Sequence, residues 1–168
     1  MSDTPRATAL AAEATVHADM ITLPYHDRYR RRCRLVTDSG AEVILDLAEL
    51  TELRDGAALI VDDGRQIAIV AAEEPLAEIR AEAAALARLA WHIGNRHTPC
   101  QIAADRILIQ RDHVLEDMLR GLGATITHIE APFQPEGGAY GMGRTHGHSH
   151  SHDPHEDPNA HIHGHDHG

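Results

Sequence analysis

The chain of 168 residues contains no lysine; all fifteen of its basic side chains are arginine. Against them stand 26 acids, leaving a formal charge of −11 with histidine neutral. Nucleic-acid binding draws on clustered positive charge that releases counterions, and this balance works against it. Aromatic residues are scarce, with one Trp, three Tyr and one Phe. Core and interfaces must therefore rest on Leu, Ile, Val and Ala. Cysteine is limited to Cys33 and Cys100, and nothing in that number points to an oxidising compartment. They read as two half-buried thiols. Apolar runs such as Ala83 to Ala87 are broken by arginine well short of the roughly 20 residues that span a bilayer. Residues 1–14 carry Asp3 and Glu13 and no apolar segment, unlike a secretory signal. The expected setting is the cytoplasm, with neither membrane nor nucleic acid as partner.

What the chain does have is histidine. There are fifteen, and nine fall in the last 23 residues: His146, His148, His150, His152, His155, His161, His163, His165 and His167. Neutral imidazole suits Ni, Cu and Zn and is a poor ligand for Ca or Mg. The run from His146 to His152 places a histidine at every second position, separated by Gly or Ser. Such spacers let several rings reach one ion. Asp153, Glu156, Asp157 and Asp166 add negative charge and spare oxygen ligands. The segment also holds Pro154 and Pro158 and a single bulky apolar residue, Ile162, so it is expected to be disordered. Ordering it around an ion costs roughly 1–2 kcal/mol per residue. Modest affinity and ready release follow, which suits capture and delivery. Binding should weaken as pH falls through the ~6.5 of free imidazole.

The rest of the chain reads as two small domains. Residues 1–14 are expected to be frayed. From Thr15 to Asp62 short strands alternate with turns. Val16, Ala18, Met20 and Thr22 mark one face of a strand, and Asp62-Asp63-Gly64 is a hairpin signal. Gln66 to Ala72 reads as a further strand. Pro75 then opens a helix whose buried face is Leu76, Ile79, Ala83, Leu86, Ala90 and Ile93, closed by Gly94 as a C-terminal glycine. Strands at Cys100–Ala103 and Arg106–Gln110 follow. Asp112 caps a second helix with Val114, Leu115, Met118 and Leu119 inward, and Ala124–Ile129 is the last strand. The fold class is α+β, with an all-β first domain (1–72), a ferredoxin-like β-α-β-β-α-β domain (73–140) and the His-rich tail (141–168). Pro132, Pro135 and the glycines between 137 and 143 read as a flexible exit.

Six histidines remain in the folded part: His17, His26, His92, His97, His113 and His128. Most such residues are ordinary surface or core side chains. His97 stands apart because it follows Gly94-Asn95-Arg96 just beyond a helix end and precedes Thr98-Pro99. A loop there projects the ring outward. Tyr25 to Arg34 carries five Arg and two Tyr, and reads as a charged edge strand protected from aggregation.

The segments Ala90-Trp91-His92-Ile93-Gly94-Asn95-Arg96-His97-Thr98-Pro99 and Asp112-His113-Val114-Leu115-Glu116-Asp117-Met118-Leu119 together resemble the urease accessory protein E family. Pro132-Phe133-Gln134-Pro135-Glu136-Gly137-Gly138-Ala139-Tyr140, followed by the His-rich tail, fits the same family. So do Leu53-Arg54-Asp55-Gly56 and Asp62-Asp63-Gly64. The Pro-Arg-Gly that the family often has shortly before Leu53 is replaced here by Ala48-Glu49-Leu50. The resemblance implies a nickel metallochaperone for urease maturation that forms a homodimer through its second domain, with His97 of each protomer meeting at the two-fold axis on one Ni(II). It implies a first domain like the peptide-binding domain of a folding chaperone. It also implies partnership with the urease accessory GTPase and, through it, with the other accessory proteins and apo-urease. Tail histidines would complete the nickel shell, since two imidazoles fall short of four to six ligands. Members of the family carry a histidine two positions before His113, where this chain has Arg111, so His113 is a candidate ligand standing alone. Zn(II) or Cu(II) could bind the same groups. The competing reading is a general divalent-metal buffer unrelated to urease. A metal-dependent hydrolase is the remotest, because no nucleophile–base pair, phosphate loop or rigid ligand triad is evident, and no enzymatic activity is expected.

Overall fold

A computed structural model describes residues 4–137. The first domain is a six-stranded mixed sheet built from β1 (Arg6–Ala11), β2 (Asp19–Leu23), β3 (Tyr29–Val36), β4 (Glu42–Glu52), β5 (Ala58–Val61) and β6 (Gln66–Ala71). Its strand order is β2-β6-β5-β1-β4-β3. Two hairpins, β3–β4 and β5–β6, and the β1–β5 contact supply the antiparallel pairs, while β1 runs parallel to β4 and β2 parallel to β6. The β5–β6 turn is the Asp62-Asp63-Gly64 signal, with Gly64 at φ +85°, a conformation that side chains with a Cβ resist. Ile21, Val43, Leu45, Leu53, Leu59 and Ile69 fill the core.

Two expectations for this half fail. The N-terminal segment is not frayed: β1 lies inside the sheet between β5 and β4, and Ala7 is fully buried. Alternating Ala, Thr and Leu can serve a strand when small side chains are all the core has room for. Strand β2 also starts later than the alternation from Val16 suggests, at Asp19. Ile21 is buried, whereas Met20 and Val16 are exposed, and Val16 precedes the strand. Strand periodicity fixes the alternation, but the largest branched side chain decided its phase. Strand β3 does lie at the sheet edge, where Arg30 pairs with Asp27, Arg32 with Asp46 and Arg34 with Glu42.

The second domain runs β7 (Glu73–Arg80), α1 (Ala83–Gly94), β8 (Cys100–Ile102), β9 (Ile107–Gln110), α2 (His113–Gly121) and β10 (Thr125–Pro132). The element order is β-α-β-β-α-β, in an antiparallel sheet ordered β10-β7-β9-β8. The first strand of this unit is β7, not the run from Gln66 to Ala72, and Pro75 to Arg80 is strand rather than helix. Leu76 and Ile79 match a helical spacing by coincidence. On the strand they face opposite ways: Ala77 and Ile79 pack under the helices, and Leu76 points to the other face. Pro75 is tolerated because the pairing of β7 with β9 begins only at Leu76, so the missing N–H interrupts no ladder on that side. Helix α1 begins at Ala83 and buries Leu86, Leu89 and Ile93. In α2 the Asp112 carboxylate accepts the Leu115 N–H at 3.0 Å, as a capping residue should. Leu115 and Leu119 face inward, but Val114 is exposed and Glu116 takes a buried position instead. Gly123, at φ +92°, turns the chain toward β10.

The residues after β10 do not form a flexible exit at once. Phe133 is fully buried against Leu76 and Leu108 on the helix-free face of the second sheet. The Tyr25 ring of the first domain meets it edge-on at 5.3 Å. The buried Arg28 guanidinium donates to the Phe133 carbonyl and lies 5.8 Å from the Tyr25 ring centroid. The Tyr25 N–H donates to the buried Glu74 carboxylate at 2.6 Å, adding a polar tie across the same seam. Replacing Phe133 by alanine should therefore cost about 3–5 kcal/mol, read as a lowered urea midpoint at unchanged slope. An unchanged midpoint would show that the ring does not hold the seam.

Candidate metal centre

Helix α1 ends without a glycine in the left-handed region. Gly94 is its last residue, Asn95 stays right-handed, and the His97 N–H donates to the Gly94 carbonyl at 2.9 Å. His97 itself adopts φ +56°, and no other non-glycine among the described residues has a positive φ. Histidine tolerates that conformation better than most residues, at some cost. The ring is thereby thrown outward, and His97 is exposed. It sits just past the C-terminal end of α1, where unsatisfied carbonyls carry partial negative charge and favour a cation. Trp91, six residues earlier, is 64 % exposed, a large apolar surface in a chain with a single tryptophan. Its ring meets His92 edge-on at 5.0 Å.

His113 occupies the opposite electrostatic setting. It is the first residue of α2, and exposed. Helix N-termini favour anions, so a cation gains nothing from the helix there. His17 is exposed, and His26 lies 3.3 Å from Asp27. His128 is spoken for: its Nε2 lies 2.7 Å from the Glu116 carboxylate, which also holds Arg120 at 3.3 Å. The pair escapes a sequence reading, because the two residues are twelve apart and meet only once β10 and α2 are packed together. A sign could have been the acid at the fourth position of an amphipathic helix, where a core residue is due.

Among the described residues no group of three His, Cys, Asp or Glu side chains gathers in a way that could hold an ion. Cys33 and Cys100 are free and half-buried, as expected. Burial pushes both thiols up, which keeps them protonated and poor as ligands. No described helix is long and apolar enough to cross a membrane. His146 through His167 lie outside the described residues.

The chain matches two family models in succession: the N-terminal domain of the UreE urease accessory protein over residues 4–72, and its C-terminal domain over residues 74–168. The urease accessory protein UreE of Ruegeria pomeroyi is 55% identical over 129 residues, covering 77% of this chain and 85% of that protein. Those of Rhodobacter capsulatus and Cereibacter sphaeroides are 56% and 55% identical over 130 residues, covering 77% of this chain and 81% and 70% of theirs. Two domains in this order, the first mostly β and the second β/α, with matches across both, define an accessory protein of metalloenzyme assembly. The chain belongs to the UreE family of urease accessory proteins.

The Glu116–His128 pair yields a prediction of its own. Burial raises the Glu116 carboxyl, but the His128 hydrogen bond and charge, with help from Arg120, outweigh it and hold the group below its ordinary value. Its contribution to stability is complete above the ordinary glutamate range and is lost as pH falls through the depressed value. His128→Ala should cost about 1–3 kcal/mol at neutral pH by leaving a buried carboxylate short of a partner. In urea unfolding the gap between wild type and variant should narrow under acid. A gap independent of pH would rule the pair out as its source.

Proposed function

We propose that this protein collects Ni(II) and donates it during assembly of the urease metallocentre. Membership of the urease accessory family carries the assignment, and it tells against a general metal buffer unrelated to urease. The observation that carries the site is His97: an exposed imidazole in a left-handed conformation beside the carbonyl end of α1. On this reading the protein is a carrier and not a catalyst, and it works in the cytoplasm.

One imidazole cannot hold nickel, and two leave it short of four to six ligands. We infer a homodimer formed through the second domain, in which the two His97 rings share one ion. The exposed Trp91 near that helix end supports an interface there, since large aromatic side chains anchor such contacts. The β-α-β-β-α-β order with strand order β10-β7-β9-β8 supports a ferredoxin-like arrangement, with both helices on one face.

The tail supplies the remaining ligands. Glu136 bonds to Cys100, three residues after His97, through Glu136 N–H to the Cys100 carbonyl at 2.8 Å. His146 follows ten residues later, within a reach of at most about 33–36 Å. His146, His148, His150 and His152 therefore come within range of the His97 pair. His155, His161, His163, His165 and His167 serve as further, weaker capture sites, as does His113. Zn(II) and Cu(II) would compete for the same imidazoles, copper most strongly. The first domain, resembling a peptide-binding domain, and the second together dock the urease accessory GTPase and, through it, the other accessory proteins and apo-urease.

Calorimetry with nickel on the full-length protein should show one tight ion per dimer and several weaker ones. His97→Ala should abolish the tight ion, and a chain ending at Tyr140 should lose the weak ones and hold the tight one less firmly. Binding should weaken as pH falls through about 6.5, where free imidazole protonates. A tight site that survives His97→Ala would contradict the assignment.

A further inference from the structure

The residues between β10 and the tail act as a strap that sets where the tail begins. Strands β10 and β8 are the two opposite edges of the second sheet. Three strand spacings separate them, about 14 Å. The chain leaves β10 at Pro132 and reaches β8 by Glu136, four residues later. Four extended residues span about 13–14 Å, so the crossing leaves little slack.

The crossing is fastened along its length. Phe133 is buried at its start, with its carbonyl held by Arg28. The Gln134 N–H donates to the Gln101 side-chain oxygen at 2.9 Å. The Glu136 N–H donates to the Cys100 carbonyl, and its carboxylate receives the Ile102 N–H at 3.4 Å. Cys100, Gln101 and Ile102 are the whole of β8, and β8 is the strand that the His97 loop feeds. The strap therefore covers the one edge of the sheet that leads directly to His97.

We propose that Phe133–Glu136 is a positioning strap, which raises the local concentration of the tail imidazoles at His97 by moving the tail's origin from the far edge of the sheet to the near one. This rests on the reading above that tail and His97 share an ion. Glu136, Gln134 and Gln101 are positioning residues here, not ligands. With Gln134 and Glu136 released and Phe133 still seated, the tether to His146 would start at Phe133. It would be thirteen residues long instead of ten and would start about 10 Å further away, and its effective concentration would fall about two- to threefold.

The test separates position from damage. Nickel affinity is measured for the full-length dimer, for Glu136→Pro, which removes the Glu136 N–H at an exposed position, and for Gln101→Ala. Each is compared with the chain ending at Tyr140, titrated with a synthetic peptide of residues 141–168 added in trans. The strap variants should lose two- to threefold in affinity with the attached tail. Made in the Tyr140-truncated background, they should bind nickel plus the free peptide as well as the unsubstituted truncated chain does. Hydrogen exchange at Cys100 to Ile102 should rise in the same variants, reporting release of the strap. An affinity unchanged in both variants while exchange rises would overturn the proposal. So would equal losses with attached and added tail, since those would mean a damaged core site. If truncation itself leaves the tight affinity unchanged, the shared-site reading fails instead.

Discussion

Coordination number is the constraint around which this protein is arranged. A divalent transition-metal ion takes four to six ligands, and the described part of one chain brings no three candidate ligands together. His97 is presented alone at the end of α1, at the cost of a left-handed backbone. A lone imidazole at the carbonyl end of a helix attracts a cation without being able to keep it. On the function proposed above, the other ligands come from outside the described part of the subunit: a second copy, the tail, or both. An incomplete site is a sensible one for a carrier, because an ion held by ligands that arrive from several segments can be surrendered one ligand at a time.

The two domains divide the remaining work. The second sheet buries one face under α1 and α2 and uses part of the other to seat Phe133. That ring, the only phenylalanine in the chain, joins Tyr25 and Arg28 of the first domain to the start of the tail segment. The scarcity of aromatics noted from composition thus has a structural counterpart. A single pair of rings, Tyr25 and Phe133, meets across the two domains, and the lone tryptophan is left exposed on the helix that leads to His97.

Much of this was legible in the sequence where the signal was local. Asp112 as a helix cap, the Asp62-Asp63-Gly64 turn, and the short β8–β9 hairpin each depend on a few adjacent residues. The projection of His97 beyond a helix end was readable from Asn95-Arg96 and Pro99, although its left-handed backbone was not. The errors came where a pattern had two solutions or a partner lay far away. Leu76 and Ile79 fit a helix as well as a strand. Only the pairing of β7 with β9 and β10, thirty to fifty residues onward, decides between them. Pairing between separate elements likewise hid the Glu116–His128 pair, twelve residues apart, and the docking of Phe133. The proline- and glycine-rich exit looked flexible by composition, but its first residues are fixed by contacts that composition does not record.

The central claim is that nickel is held jointly by His97 from two subunits and by tail imidazoles. X-ray absorption spectroscopy on dimer loaded with one nickel tests it most directly, because it counts the imidazoles on the metal. The account predicts a four- to six-coordinate nitrogen and oxygen shell with more than two imidazoles, falling to two when the chain ends at Tyr140. An imidazole count unaffected by that truncation, or sulfur in the shell, would contradict it.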